Sequence, residues 1–157
     1  MNKCEELLEI ANEENISVFE NYDLSGTRLK GLYCDGNIAL SKELQTSSEK
    51  QCILYEELGH HYTTVGNILD QSKTSNRKQE RLARLWAYQH ALNLSDLISA
   101  YKKGNRNRYE IAEYLNITEQ FLQDALDTYK EKYGTYTIVD DYILYFEPLG
   151  ALKIYED

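Results

Sequence analysis

Apolar residues at helical spacing open the chain and give way to an alternating stretch. Over residues 3–14 they recur at intervals of three and four, which predicts an amphipathic helix. Alternation over 16–22 then indicates a strand. Two short apolar runs flank Asp35-Gly36-Asn37, so residues 31–40 are expected to form a β-hairpin with a glycine-containing turn.

Helical patterns dominate the middle of the chain. Thr46-Ser47-Ser48-Glu49 has the form of a capping box and predicts a helix that runs to about Thr64. After a polar stretch, a second long helix is predicted over 79–92. A shorter helix is expected to begin with Ser95 as its N-cap and to end at Gly104.

The last third contains two further helical patterns and a β-rich tail. The helices are separated by a tight turn at Asn116-Ile117, and Thr118 is the expected N-cap of the second. From residue 135 the alternation is typical of a terminal hairpin or strand pair. With no internal repeat and no low-complexity linker, an α+β architecture is the simplest account.

Composition agrees with a folded α+β protein, and the net charge limits the classes of partner that it can bind. The chain has 157 residues, 42% of them hydrophobic, with a single proline, so it is long enough for one domain with a substantial core and is not of the disordered class. The net charge is −9, divided as −7 over residues 1–60, +6 over 61–108 and −8 over 109–157. This acidic excess argues against nucleic acid as a partner.

The sequence also bears on location and redox state. No run of eighteen apolar residues occurs, and the acidic start lacks the basic and apolar blocks of a signal peptide. We therefore expect a cytoplasmic protein that does not enter a membrane. Cys4, Cys34 and Cys52 are odd in number and show no C-x-x-C spacing, so reduced thiols are expected rather than disulfides or a cysteine-type zinc site.

The helix predicted over 46–64 carries a candidate hydrolytic site. Glu56 and His60 are four residues apart, so both can reach one metal ion on the same helix face. Glu57 then stands beside the ion, where it can take a proton from the attacking water. Glu57 and His61 are also four apart, but that register would leave Leu58 in place of the base. The 56/60 register is therefore favoured.

These residues resemble the motif of a known family. Glu56-Glu57-Leu58-Gly59-His60 is similar to the H-E-L-G-H form of the zinc-peptidase motif H-E-x-x-H found in the ImmA/IrrE family of metallopeptidases. The family's next signature, E-x-x-A-x-x-F-A, resembles residues 80–87, with Trp86 in the aromatic place. The hairpin sequence before the motif also resembles the family's sheet, so the likeness covers about residues 1–100. It implies that Glu80 is the third metal ligand.

The resemblance implies a fold and a division of the chain. The expected fold is a zincin-like α+β metallopeptidase domain, in which a small antiparallel sheet packs on the motif helix, with additional C-terminal helices and a β-hairpin tail. Residues 1–104 would form the metallopeptidase-like domain. Residues 105–157 would form a helical pair and β tail packed with it as one unit.

The sequence departs from the family at the first ligand, where histidine is replaced by Glu56. Glu56, His60 and Glu80 can still form a three-ligand zinc site, because carboxylates bind zinc at similar distances. Two carboxylates and one imidazole would make the bound water less acidic and shift the preference toward harder ions such as manganese. Loss of metal binding remains an open alternative.

The expected function is that of a metal-dependent endopeptidase with Glu57 as its catalytic base. Its substrate would be a partner protein, and the resemblance implies a helix-turn-helix repressor of a phage or other mobile element, which the enzyme would inactivate as an anti-repressor. The alternative is a catalytically weakened or inactive peptidase-fold module that regulates such a repressor by binding. The helical pair after residue 108 has the length of a DNA-binding helix-turn-helix, but Asp124, Asp127 and Glu131 would face phosphates unfavourably, so DNA binding is disfavoured.

Overall fold

The computed structural model describes residues 3–63 and 73–154 and confirms an α+β fold. Its helices are α1 (Lys3–Glu13), α2 (Ser47–Thr63), α3 (Lys73–Ala91), α4 (Leu94–Lys102), α5 (Arg108–Leu115) and α6 (Glu119–Tyr133). Its strands are β1 (Ser17–Tyr22), β2 (Gly31–Cys34), β3 (Asn37–Ser41), β4 (Tyr136–Val139), β5 (Tyr142–Phe146) and β6 (Leu149–Lys153).

The chain divides into two compact units, Met1–Ala87 and Tyr88–Asp157. The boundary between them falls within α3, and α4 packs with α5, β5 and β6 in the second unit. The predicted division into residues 1–104 and 105–157, packed as one unit, stays a prediction.

The sheet of the first unit has the strand order β1-β3-β2. Strands β2 and β3 form the predicted antiparallel hairpin, in which Cys34 pairs with Asn37 across a two-residue turn. Asp35 and Gly36 both have positive φ angles, 45° and 76°, as a turn of type I′ requires. Strands β1 and β3 are parallel, so the sheet is mixed rather than purely antiparallel.

The core of the first unit lies where this sheet meets α1 and α2. It is a cluster of buried aliphatic side chains from all of these elements, namely Leu7, Ala11, Ile16, Ile38, Leu40, Leu44, Leu54 and Leu58. Helix α2 begins as predicted, because the backbone N–H of Glu49 donates to Oγ1 of Thr46 at 3.1 Å. The predicted helix end at Thr64 lies outside the described residues, which resume at residue 73.

Two helix starts differ from the sequence prediction. Helix α3 begins at Lys73, six residues before the predicted start, so part of the stretch expected to be a polar connection is helical. Helix α4 is capped by Asn93 rather than by Ser95. The N–H of Asp96 donates to Oδ1 of Asn93 at 2.8 Å, and the N–H of Asn93 donates to the Asp96 carboxylate at 2.9 Å. This reciprocal pair explains why the helix starts earlier.

The second unit combines α4, α5 and α6 with an antiparallel sheet of order β4-β5-β6. Asn116 ends α5 in the left-handed conformation, and Oγ1 of Thr118 accepts from the N–H of Phe121, so both predicted turn residues are confirmed. The tail expected as a hairpin or strand pair contains three strands. Its inner face packs Leu144 and Phe146 into the core of the unit.

Candidate functional site

Helices α2 and α3 cross at very short range next to the motif residues. A Cβ atom at Gly59 would overlap the carbonyl oxygen of Ala83 and lie only 3.0 Å from its carbonyl carbon. A residue with a side chain could not occupy this position without separating the helices, so glycine is required by the close approach. The crossing brings the side chains that follow Gly59 on α2 close to those that precede Ala83 on α3.

The crossing joins His60 to Glu80. Nε2 of His60 lies 3.2 Å from Oε1 of Glu80. His60 is 9% exposed, whereas the Glu80 side chain is about half exposed. The hydrogen bond between the two side chains raises the pKa of His60, although burial of the ring acts in the opposite direction. The same hydrogen bond lowers the pKa of Glu80. Two of the three predicted ligands therefore meet, although they come from different helices.

The other ring nitrogen of His60 is in a different situation. Nδ1 is buried and has no hydrogen-bond partner in the part of the chain that the structure describes. Histidines that bind metals commonly donate their second N–H to a carboxylate or carbonyl group, which orients the ring and strengthens binding. Such support for His60 is absent from residues 3–63 and 73–154.

Glu57, the predicted base, is enclosed by the sheet. A Cβ at Gly31 of β2 would lie 3.1 Å from both Cγ and Oε1 of Glu57, so the bare backbone of Gly31 covers this side chain. Burial raises the pKa of Glu57 to about 7, and the charges of Glu56 and Glu80 act in the same direction while His60 opposes them. A carboxyl group with a pKa near neutrality can both accept and release a proton at physiological pH.

Glu56 is half-buried on α2, one turn before His60, and its charge contributes to the raised pKa of His60. Within residues 3–63 and 73–154, no three His, Cys, Asp or Glu side chains are grouped closely enough to hold a metal ion. The predicted ligand set of Glu56, His60 and Glu80 therefore stays a prediction, with two of its members in contact.

A polar contact next to the site was missed in the sequence. Oη of Tyr33 on β2 lies 2.7 Å from Nδ1 of His61, and the N–H of Gly36 donates to the same oxygen at 3.1 Å. From the sequence, His61 was predicted only as the alternative partner of Glu57, in the register that is not favoured. Two signals pointed to the contact: Tyr33 shares a strand face with Gly31, and His61 follows Glu57 by one helical turn.

Comparison with protein families identifies the architecture around these residues. The family model described as the IrrE N-terminal-like domain matches residues 11–127, about three quarters of the chain. The chain belongs to the ImmA/IrrE family. The sequence motifs predicted a likeness to the family that ends near residue 100. The match extends further, through α5 and into α6, so these helices belong to the family domain. The β4-β5-β6 sheet lies after the matched region.

Family membership makes the matched residues 11–127 a metallopeptidase-type domain, and it implies a divalent metal and a protein substrate. Comparisons with curated proteins and with solved structures gave no match. No helix among the described residues has the length and apolar character needed to cross a membrane.

Proposed function

We propose that the protein is a metal-dependent endopeptidase whose ion is held by His60, Glu80 and Glu56. The contact between His60 Nε2 and Glu80 Oε1 carries this proposal. An imidazole nitrogen and a carboxylate oxygen are donors that a divalent ion would accept, and these two atoms from different helices lie 3.2 Å apart. Two donors thus fit neighbouring ligand positions, and the flexible side chain of Glu56 starts one turn away.

The ion and the protein have separate tasks in this reaction. A bound divalent ion supplies positive charge that acidifies water and polarises a carbonyl group. Glu57 takes the proton of the attacking water and passes it to the leaving amine. The cover provided by Gly31 keeps bulk water away from one side of Glu57, and the crossing at Gly59 keeps Glu80 within reach of His60.

The donor set bears on which metal is used. Zinc is the usual metal of the family, and His60 with two carboxylates is a set that zinc accepts. Two carboxylates against one imidazole also suit manganese or another hard divalent ion. We therefore propose zinc as the cofactor, with manganese as the main competitor.

The proposed substrate is a partner protein in the cytoplasm, namely a helix-turn-helix repressor of a phage or mobile element. The support for this target is the likeness to family members that act on such repressors. Cleavage of the repressor would release the genes that it silences.

Metal titration of the purified protein tests the proposal. After treatment with a chelator, calorimetric titration with zinc and with manganese should show one site, which H60A and E80Q weaken strongly. H90A and E13Q are matched controls, because His90 and Glu13 are exposed and are not proposed ligands. E57Q should keep the metal and lose cleavage of a repressor encoded beside the gene. A wild-type protein that binds neither metal stoichiometrically would refute the proposal.

A second function is favoured by two observations. No three potential ligands among the described residues are grouped closely enough to hold an ion, and Nδ1 of His60 lacks a supporting partner in the same part of the chain. Both features weaken metal binding. The alternative is a peptidase-fold module that regulates a repressor by binding it without cleavage. In that case E57Q would leave regulation in cells intact, and the repressor would be recovered uncut in a complex.

A further inference from the structure

Strand β2 and helix α2 run side by side, and the contacting residues are spaced by similar distances along the two elements. Gly31 lies against Glu57, and Tyr33 contacts His61. The two strand residues are separated by about 6.8 Å, at 3.4 Å per residue. The two helix residues are separated by about 6.0 Å, at 1.5 Å per residue. Successive contacts therefore stay aligned along both elements.

The alignment matters because only one strand position fits over Glu57. A Cβ at position 31 would lie 2.5 Å from Cγ2 of Ile53 as well as close to Glu57. A slip of one residue would turn Leu32 toward the helix, and a slip of two would bring Tyr33 there. Either slip would displace the Glu57 side chain.

The two-residue turn fixes the register of β2 on β3, but apolar packing alone does not fix how this hairpin is aligned on α2, since such packing is not directional. The hydrogen bond between Tyr33 and His61 is directional, and it lies one turn beyond Glu57. The N–H of Gly36 donates to the same hydroxyl group and so connects it to the hairpin turn. The Tyr33 ring also meets the His61 ring edge to face, at 5.4 Å between centroids.

We propose that Tyr33 is a positioning residue, which acts through His61 to hold β2 in the one register that places Gly31 over Glu57. This inference deepens the proposed function and rests on it for the role of Glu57. The family match describes a domain and assigns no such role to Tyr33 or His61. The Tyr33 hydroxyl does not touch the reacting groups. It sets the position of the strand that encloses the base.

The test uses the full chain without metal or substrate. Y33F removes the hydroxyl group and keeps the ring. Y22F is the matched control, because Tyr22 lies on β1 of the same sheet and is half exposed. H61L removes the nitrogen that meets Tyr33, whereas H61N keeps a polar group near the position of Nδ1. Two quantities are measured: the ¹³C resonance of the Glu57 carboxyl group, assigned with E57Q, and hydrogen exchange of the β2 amides.

We expect Y33F and H61L to shift the Glu57 resonance and to speed exchange in β2 about 3- to 10-fold, the effect of losing one hydrogen bond. Y22F and H61N should behave like the wild type. The inference is overturned if Y33F leaves the Glu57 resonance in place, or if exchange rises equally in all elements, since that pattern reflects a general loss of stability. If Y33F does not fold, the comparison of H61L with H61N decides in the same way.

The outcome can be separated from that of the proposed function. A shifted Glu57 resonance in a protein that never cleaves a substrate would refute the peptidase and leave the positioning role intact. In a protein that does cleave, Y33F should lower kcat more than it changes KM, because substrate contacts are kept and only the base is displaced.

Discussion

Replacing Gly59 by alanine should push α2 and α3 apart and loosen the proposed site. The added Cβ would lie 3.0 Å from the carbonyl carbon and 3.1 Å from Cα of Ala83. Carbon atoms in contact are normally about 3.5–4.0 Å apart, and the added Cβ would overlap the carbonyl oxygen of Ala83 more severely still, so the helices must separate by roughly 1 Å. All of these obstacles are backbone atoms, so rotation of a side chain cannot relieve the overlap.

The effect on stability is the difference between two opposing contributions. Overpacking of this kind costs about 1–3 kcal/mol. Alanine in place of glycine within a helix recovers about 0.5–1 kcal/mol through lower backbone entropy in the unfolded chain. Because the overlap is with backbone atoms, the cost belongs to the upper part of that range, about 2–3 kcal/mol, and we expect G59A to lower the free energy of unfolding by about 1–2.5 kcal/mol. The longer distance between His60 and Glu80 should also weaken metal binding.

Urea unfolding, monitored by tryptophan fluorescence, measures the change in stability with a probe at the helix crossing itself. Trp86 is the only tryptophan in the chain, lies three residues after Ala83 and stacks on Tyr62 of α2 at 5.0 Å between centroids. G150A is the control, because a Cβ at Gly150 would meet nothing within 4 Å. The reasoning is refuted if G59A is as stable as the wild type and holds metal equally well.

Three further predictions concern charge, metal and the second unit. In metal-free protein the folded state raises the pKa of Glu57 from 4.5 to about 7 and that of His60 above 6.5, so it binds protons more tightly than the unfolded chain. The free energy of unfolding should therefore fall as the pH rises from about 5 to 8, in denaturant titrations at each pH. Glu56→His restores the family's first ligand and should tighten zinc at least tenfold in chelator competition. Tyr129→Phe removes a buried hydrogen bond of 2.8 Å to the carbonyl oxygen of Leu92 and should cost about 1–2 kcal/mol in thermal unfolding.

Each of these outcomes has its own control. E57Q should flatten the pH profile between 4.5 and 7, and an unchanged slope there would contradict the assignment to Glu57. For the metal prediction, Glu13→His adds an exposed histidine on α1 and should leave zinc affinity as it was. For the buried hydroxyl, Tyr136→Phe on a half-exposed ring should be close to neutral.

Local features of the fold could be predicted from the sequence, whereas contacts between distant segments could not. Asp35-Gly36 predicted the hairpin because these residue types readily adopt the two adjacent positive φ angles that a two-residue hairpin turn requires. Asn116 ends α5 because it tolerates the left-handed conformation, and Thr118 begins α6 because its hydroxyl group accepts a backbone hydrogen bond; both reasons are local. The parallel pairing of β1 with β3 joins segments about twenty residues apart, and no local pattern specifies it.

The same distinction holds at the site. The spacing of Glu56, Glu57 and His60 is a property of one helix and is fully visible in the sequence. The meeting of His60 with Glu80 depends on how two helices cross, and it entered the prediction only through the likeness to a family. The Asn93 cap was missed because Ser95 offered an equally good local signal. Asn93 forms the cap because Asp96, three residues later, completes a reciprocal pair of hydrogen bonds with it.

The arrangement of the first sheet also determines the order in which its strands can pair during folding. The β2–β3 hairpin is closed by a two-residue turn and should form within about 1–10 μs. Strand β1 pairs only with β3 and must close a longer loop to reach it, so we expect it to pair after the hairpin has formed. On the ribosome the strand made first is therefore the last to be paired, and Val18 and Phe19 stay without their sheet partners until Ile38 and Ala39 of β3 have been made.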